Sequence, residues 1–208
     1  MRDPEGRNPH VQALCGRRGD PTILLNAWDA GSARRFEALG AEVVRVPQVD
    51  GVPGQVTGAD VRAAADAAER VATERGGYYV DQFRAPEGLR AHRETTGPAI
   101  WAQTSGRVDA WVAAVGTGAT FLGVAAALRA RNPRLICAAV EPAGCQPLGG
   151  VPVTTHRHLI QGTGYGSVPP HWTAGLMDLS ISVTDAPVEQ WWQALGTRES
   201  LHVSYAAA

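Results

Sequence analysis

Apolar positions along this 208-residue chain keep two rhythms: short unbroken runs, and a recurrence every three to four residues. Residues 108–115 form a run long enough for a buried strand. Phe121, Val124, Ala125 and Leu128 then recur at i, i+3, i+4 and i+7, which predicts a helix with one buried face. Arg129 and Arg131 close that helix where cations suit its dipole, and Asn132-Pro133 stops it. Residues 135–140 are a second apolar run. Strand and helix are joined by Gly116-Thr117-Gly118-Ala119-Thr120. A small-residue loop at a helix N-terminus leaves backbone N–H groups unpaired, which suits an anionic phosphate. Glycine in such a loop also serves a tight turn alone.

The same reading gives a strand over 22–25, and a helix over 33–39 capped by Asp29 or Ser32 and ended by Gly40. A strand follows over 42–47. Asp60 is the expected cap of a helix whose face holds Val61, Ala64, Ala65, Ala68 and Ala72, with Gly76-Gly77 at its end. Residues 78–80 are a short strand, and residues 82–97 a loop and a polar helix before an apolar turn around Ile100 and Trp101. A Gly/Pro-rich loop over 143–155 precedes a second glycine cluster, Gly162-Thr163-Gly164-Tyr165-Gly166. Residues 179–183 read as a strand. Asp185 then caps a helix with Pro187 in its first turn and Val188, Trp191, Trp192 and Leu195 on its buried face. Residues 202–208 begin a further strand. Strands alternating with helices predict α/β layers around a mostly parallel sheet. The two glycine loops would then sit at its carboxyl edge, where ligands bind.

Composition narrows the function. A net charge of −1 gives no electrostatic footprint for nucleic acid or a membrane surface. No apolar run approaches a membrane span. Cys15, Cys137 and Cys145 are few, odd in number and without metal-type spacing, which points to a reduced, cytoplasmic setting. His156 and His158 alternate as two ligands on one strand face would, but no Cys or carboxylate in the sequence pattern completes a set, so a solvated loop is the reading. His10, His92, His171 and His202 are isolated and read as surface or packing residues. All 19 basic residues are arginine, so no side chain of these 208 residues can form a Schiff base.

Eight segments in order make the chain resemble the cysteine synthase family of pyridoxal-phosphate enzymes, of the tryptophan-synthase-β fold type. They are LGAEVV (39–44), DGVPGQVTGAD (50–60), DQF (81–83), ETTGPAIW (94–101), VGTGAT (115–120), AVEP (139–142), IQGTGYGSVP (160–169) and SVTD (182–185). The resemblance implies a three-layer, Rossmann-like parallel sheet, incomplete at both ends, with a partial small domain over 1–86 and a partial large, phosphate-binding domain over 87–208. It implies that Gly116, Thr117, Gly118, Ala119 and Thr120 cradle the phosphate of pyridoxal 5′-phosphate. Gly162 would line the cofactor ring, and Gln82, Thr163 and Gly164 would face the substrate. Family members eliminate the β-leaving group of an O-activated serine and add sulfide or another nucleophile. They act on small amino-acid substrates and are commonly dimeric, and a second copy or partner chain would cover segments this chain lacks.

The departures carry as much. The family's cofactor-holding lysine has no counterpart here, so the cofactor would be held non-covalently at best. The Ser/Thr-Gly-Asn substrate loop is replaced by EGRNPHVQ (5–12). Ala119 stands where the family usually has glycine, and Ala206-Ala207-Ala208 where it has Ser-Ser-Gly. Impaired β-substitution by this polypeptide alone is the resulting expectation, with a non-catalytic phosphate-ligand or partner-binding pseudoenzyme as the alternative. A shorter segment, GDPTILLNAWDAGSARRFEALG (19–40), resembles the opening of the phosphoenolpyruvate mutase/isocitrate lyase barrels, a minor alternative that nothing downstream supports.

Overall fold

In the computed structural model, residues 23–24, 35, 38, 43–49 and 56–208 are described. The chain divides into two compact units, one of residues 1–52 with 59–81, the other of residues 53–58 with 82–208.

In the first unit, β1 (Ile23–Leu24) pairs in parallel with β2 (Tyr78–Tyr79). Helix α1 (Gly58–Arg75) buries Ala67 and Ala72. Gly76 ends it with φ +62°, and the Gly77 N–H reaches back to the Ala72 carbonyl at 2.7 Å, the wrap that satisfies a last-turn acceptor. Asp60 lies inside this helix rather than at its cap, and its Oδ1 accepts the Val49 N–H at 2.7 Å. The strand expected over 42–47 is not formed at residues 43–47, which are irregular. Alternation there reflects no buried face, since residues 44–49 are exposed. The helix expected over 33–39 falls largely outside the described residues, apart from helical positions at Arg35 and Ala38.

The second unit holds α2 (Pro86–Ala91), a wide turn (His92–Thr96), α3 (Gly97–Gln103), β3 (Ala110–Ala114), α4 (Ala119–Arg129), β4 (Ile136–Pro142), β5 (Leu179–Val183) and α5 (Asp185–Arg198). The strands form one parallel sheet in the order β3-β4-β5, with Ala110 opposite Ile136 and Ala138 opposite Leu179. Trp111, Ala113, Cys137 and Ala139 join Phe121, Val124 and Leu128 in the core. Four larger apolar residues of opposite parity on the sheet, Val112, Ile136, Leu179 and Ile181, are exposed. Arg129, expected only to suit the helix dipole, fixes the start of β5. Its guanidinium pairs with Asp178 and donates to the Gly175 carbonyl, while Asp178 accepts the Cys137 N–H at 2.7 Å.

The sequence pattern gave α4 one buried face, but nearly all of it is buried, Leu122 and Ala127 included. The second cover is the helical run from α2 to α3, which the pattern divides into a polar helix and an apolar turn. That run is continuous because His92–Thr96 widens by one residue, so that the Gly97 N–H bonds the His92 carbonyl. Pro98, which has no N–H to give, then enters at the first turn of α3. Two glycines let the helices meet backbone to backbone. A Cβ at Gly123 would stand 2.5 Å from the Leu89 carbonyl oxygen and 2.8 Å from the His92 Cβ, and one at Gly97 would collide with the Ala127 methyl.

Three other expectations differ. Trp191 and Trp192 are 59% and 39% exposed, so only Val188 of the predicted face of α5 is fully buried. The Asp185 carboxylate accepts the Leu159 N–H at 2.9 Å instead of capping its own helix. Residues 205–207 make a single 3₁₀ turn and no strand. Trp192 finds its partner there, its indole N–H donating to the Val203 carbonyl and its ring lying 5.1 Å from that of Tyr205.

Two substitutions test this packing. Gly123→Ala meets backbone atoms that cannot yield, and overpacking of that kind costs about 1–3 kcal/mol, against the roughly 1 kcal/mol that alanine gains over glycine in a helix. Urea unfolding is therefore expected to show a loss of up to about 2 kcal/mol, whereas Gly196→Ala in α5, with nothing within 4 Å of the new methyl, is expected to gain stability. Asp178 tests the clamp. The Cys137 N–H, and then Arg129, hold its carboxyl below the ordinary 3.8. A depressed folded-state pKa gives stability that is fully present above the unfolded value and is lost as pH falls through the folded one. Asp178→Asn should flatten the dependence of the melting temperature on pH below about 4, measured by thermal unfolding across that range.

Candidate cofactor site

Strand β3 hands the chain to α4 through residues 115–118. Gly118 takes φ +86°, a left-handed conformation that a side chain would strain, and so turns the backbone into the helix. Ala119, Thr120 and Phe121 form the first turn, whose N–H groups have no acceptor within the helix. The Ala119 N–H reaches the Thr117 hydroxyl at 3.3 Å, and no side chain caps the helix. Such a turn carries a fixed partial positive charge, which favours an anion. The Ala119 methyl is buried toward α2, where a Cβ at Gly88 would stand 3.4 Å from it.

The second glycine cluster comes to the first. A Cβ at Gly116 would collide with the carbonyl oxygen of Gly162, so only glycine allows the two loops to lie backbone against backbone. Gly162 itself has φ +89° and no heavy atom within 4 Å of where its Cβ would stand. The open space beside Gly162 and the adjoining helix N-terminus form a cradle that side chains would fill, and its donors are those a phosphate requires.

The loop is held from below. Thr163 is buried, and its hydroxyl donates to the Ile160 carbonyl at 2.8 Å, so this proton is committed within the loop. Gly164 accepts the Cys145 thiol at 2.9 Å and lies 3.3 Å from His158 Nε2. Burial is the main cause pushing the Cys145 thiol above its usual range. The Gly166 N–H opposes that shift and Glu141 adds to it. Cys145 therefore stays a hydrogen-bond donor rather than a nucleophile. His156 Nδ1 lies 3.8 Å from the same sulfur, so the sequence reading of residues 156–158 as a solvated loop misses this packing. Glu141, in AVEP, is buried and accepts the N–H groups of Leu148 and Gly149 and the Ser180 hydroxyl, all within 3.0 Å, tying residues 148–149 to β5.

Gln82 is exposed in the turn before α2. The ring of its neighbour Phe83 meets Tyr165 edge-on at 5.8 Å, which ties that turn to the second glycine loop. The expected cofactor residues Gly116 to Thr120 and Gly162 thus adjoin, while of the expected substrate residues Thr163 and Gly164 are engaged inside their own loop.

His92 is the residue that the sequence pattern set aside. Its Nε2 lies 3.0 Å from Thr120 Oγ1 and its Nδ1 2.9 Å from Thr96 Oγ1. The four-residue spacing of His92 and Thr96 on a helix is a signal for the second contact; nothing linear signals the first.

Comparison with known proteins follows the same line. Residues 11–208 match the pyridoxal-phosphate dependent enzyme family, a span that includes the stretch resembling the barrel enzymes. Cysteine synthase A of Escherichia coli K12 is 34% identical over 157 residues, covering 72% of this chain and 46% of that protein. Cysteine synthase 3 of Caenorhabditis elegans is 32% identical over 186 residues, covering 88% and 52%. The chain thus spans about half the length of the curated relatives it matches. Among solved structures, O-acetyl serine sulfhydrylase isoform 3 of Entamoeba histolytica superposes with a TM-score of 0.72 at 26% identity, over 90% of this chain and 54% of that one. Among the described residues no helix is long and apolar enough to cross a membrane. With a fold shared with cysteine synthases and a family match over nearly its whole length, the chain belongs to the pyridoxal-phosphate-dependent enzymes, as a cysteine-synthase-like member.

Proposed function

We propose that this chain binds pyridoxal 5′-phosphate reversibly through its phosphate, in a site descended from one for β-substitution on O-activated serine, and that these 208 residues alone are impaired in that reaction. The observation that carries the reading is the contact of the Gly116 loop with Gly162 beside the α4 N-terminus, in a chain without lysine. Gly116, Thr117, Gly118 and Ala119 shape the phosphate cradle, and Thr120 brings a hydroxyl to it. Gly162 leaves room for the ring. Gln82, with the Gly162–Gly164 loop, is assigned to the carboxylate of a small amino-acid substrate. When bound, the cofactor supplies an electron sink for carbanion chemistry. The missing amine would have held its aldehyde and moved the substrate's α-proton, the latter alone typically worth roughly 10²–10⁴-fold.

A reduced, cytoplasmic setting fits Cys137 and Cys145, both free and buried. A dimer is the assembly we assign. The second reading, a non-catalytic binder of a phosphate ligand, draws on the same lysine-free composition.

Titration with pyridoxal 5′-phosphate, followed by cofactor absorbance and protein fluorescence, is expected to saturate and to reverse on dialysis. Treatment with borohydride is expected to leave no pyridoxyl label on any side chain. Gly116→Ala, which drives a methyl into the Gly162 carbonyl, should weaken binding on the order of 10-fold or more, the loss of one charge-assisted hydrogen bond or its equivalent. A covalent label on a side chain, or unaided turnover of O-acetylserine with sulfide at an ordinary enzymatic rate, would overturn the proposal. Binding without turnover would favour the non-catalytic reading.

A further inference from the structure

Thr120, His92 and Thr96 form a chain of hydrogen-bonding groups at the first turn of α4. We infer that His92 is a positioning residue, fixed by Thr96 in the tautomer that turns the Thr120 hydroxyl outward as a donor to the ligand's phosphate; this rests on the assignment of Gly116–Thr120 as a phosphate cradle.

A threonine hydroxyl has one proton to give, and a neutral imidazole has one N–H and one acceptor nitrogen. The contacts run in series, Thr96 Oγ1 to Nδ1 at 2.9 Å and Nε2 to Thr120 Oγ1 at 3.0 Å. If His92 carries its proton on Nδ1, Nε2 takes the only proton of Thr120, and the cradle then meets an anion with oxygen lone pairs. If the proton is on Nε2, every donor has a use. Thr96 donates to Nδ1, Nε2–H donates to Thr120, and the Thr120 proton is free to point at phosphate.

Thr96 selects between the two. Thr73, Thr95, Thr104 and Thr197 each turn the hydroxyl back onto the carbonyl four residues earlier, at 2.6–2.9 Å. That is the usual resting place of a helical threonine. Thr96 has its hydroxyl on the ring of the residue four positions back instead. It sits in the widened turn, and among the described residues no carbonyl accepts its hydroxyl. Its proton therefore falls to Nδ1, which sets the proton on Nε2. The contact with Thr120 depends on the approach of the His92 turn to α4 at Gly123.

Two measurements test this on the full chain. Nitrogen-15 NMR of the ligand-free protein is expected to show His92 protonated at Nε2; protonation at Nδ1 would overturn the relay whether or not any cofactor binds. Affinities for pyridoxal 5′-phosphate and for pyridoxal are then compared across variants. His92→Gln keeps a donor near Nε2 and should stay within about 3-fold of the parent, whereas His92→Asn and Thr120→Val should lose on the order of 10-fold for the phosphorylated ligand, one charge-assisted hydrogen bond. Pyridoxal, which has no phosphate, should be unaffected in all three. Equal losses for both ligands would show a merely structural role and overturn the inference. So would unchanged affinity in His92→Asn, while the cofactor reading would stand. Failure of the parent chain to bind either pyridoxal 5′-phosphate or inorganic phosphate would overturn the cofactor reading and the relay's function together.

Discussion

The close approach of two helices at Gly97 and Gly123 is the constraint on which the rest of the second unit depends. Helix α4 is buried against the sheet on one side and against α2, the His92 turn and α3 on the other. A methyl at either glycine would drive the layers apart, because the atoms it meets include backbone as well as short side chains. The widened turn is the other half of the arrangement. It absorbs Pro98, keeps the helical run continuous, and brings the imidazole across to the first turn of α4. Packing and chemistry thus share one contact. The glycines that let α4 be covered also place a histidine beside the helix end where an anion is expected.

Elements whose pattern reflects their own burial were legible in the sequence. β3, α4, β4 and β5 each fall within two residues of the range the apolar rhythm predicts; β3, α4 and β4 have a face in the core, and β5 is held by its pairing with β4. The glycine loops were legible for a different reason: Gly116 and Gly118 are demanded by close approach and by a left-handed backbone. What failed was every inference that needed to know the neighbour. Residues 43–47 have strand-like composition and no strand beside them among the described residues. Trp191 and Trp192 keep helical spacing, yet only Val188 of that face is deeply buried. Asp185 has the identity and place of a cap, but its carboxylate is taken by Leu159 from another segment. His92 reads as isolated since its partner Thr120 lies 28 residues on.

In the function proposed above, the site divides binding from bond-making. Recognition of a phosphate needs backbone N–H groups, a helix end and glycine, all of which this chain retains. The chemistry of this family also needs an amine. An arginine cannot replace it, because the guanidinium stays protonated at any working pH. Supporting residues such as Glu141 and Cys145 hold the second glycine loop in place whether or not a reaction follows. That support fits the ligand-holding role proposed above.

The bare side of the β3-β4-β5 sheet has a consequence for how the chain behaves in solution. A parallel sheet ordinarily has both surfaces covered, and here Val112, Ile136, Leu179 and Ile181 meet water. Their register sets them on one surface across all three strands, with small apolar residues such as Ala110 and Ala138 between them and no formal charge. Any self-association through that surface is entropy-driven, so it loosens on chilling and tightens in ammonium sulfate. Attraction between charged surfaces would instead weaken as salt is added.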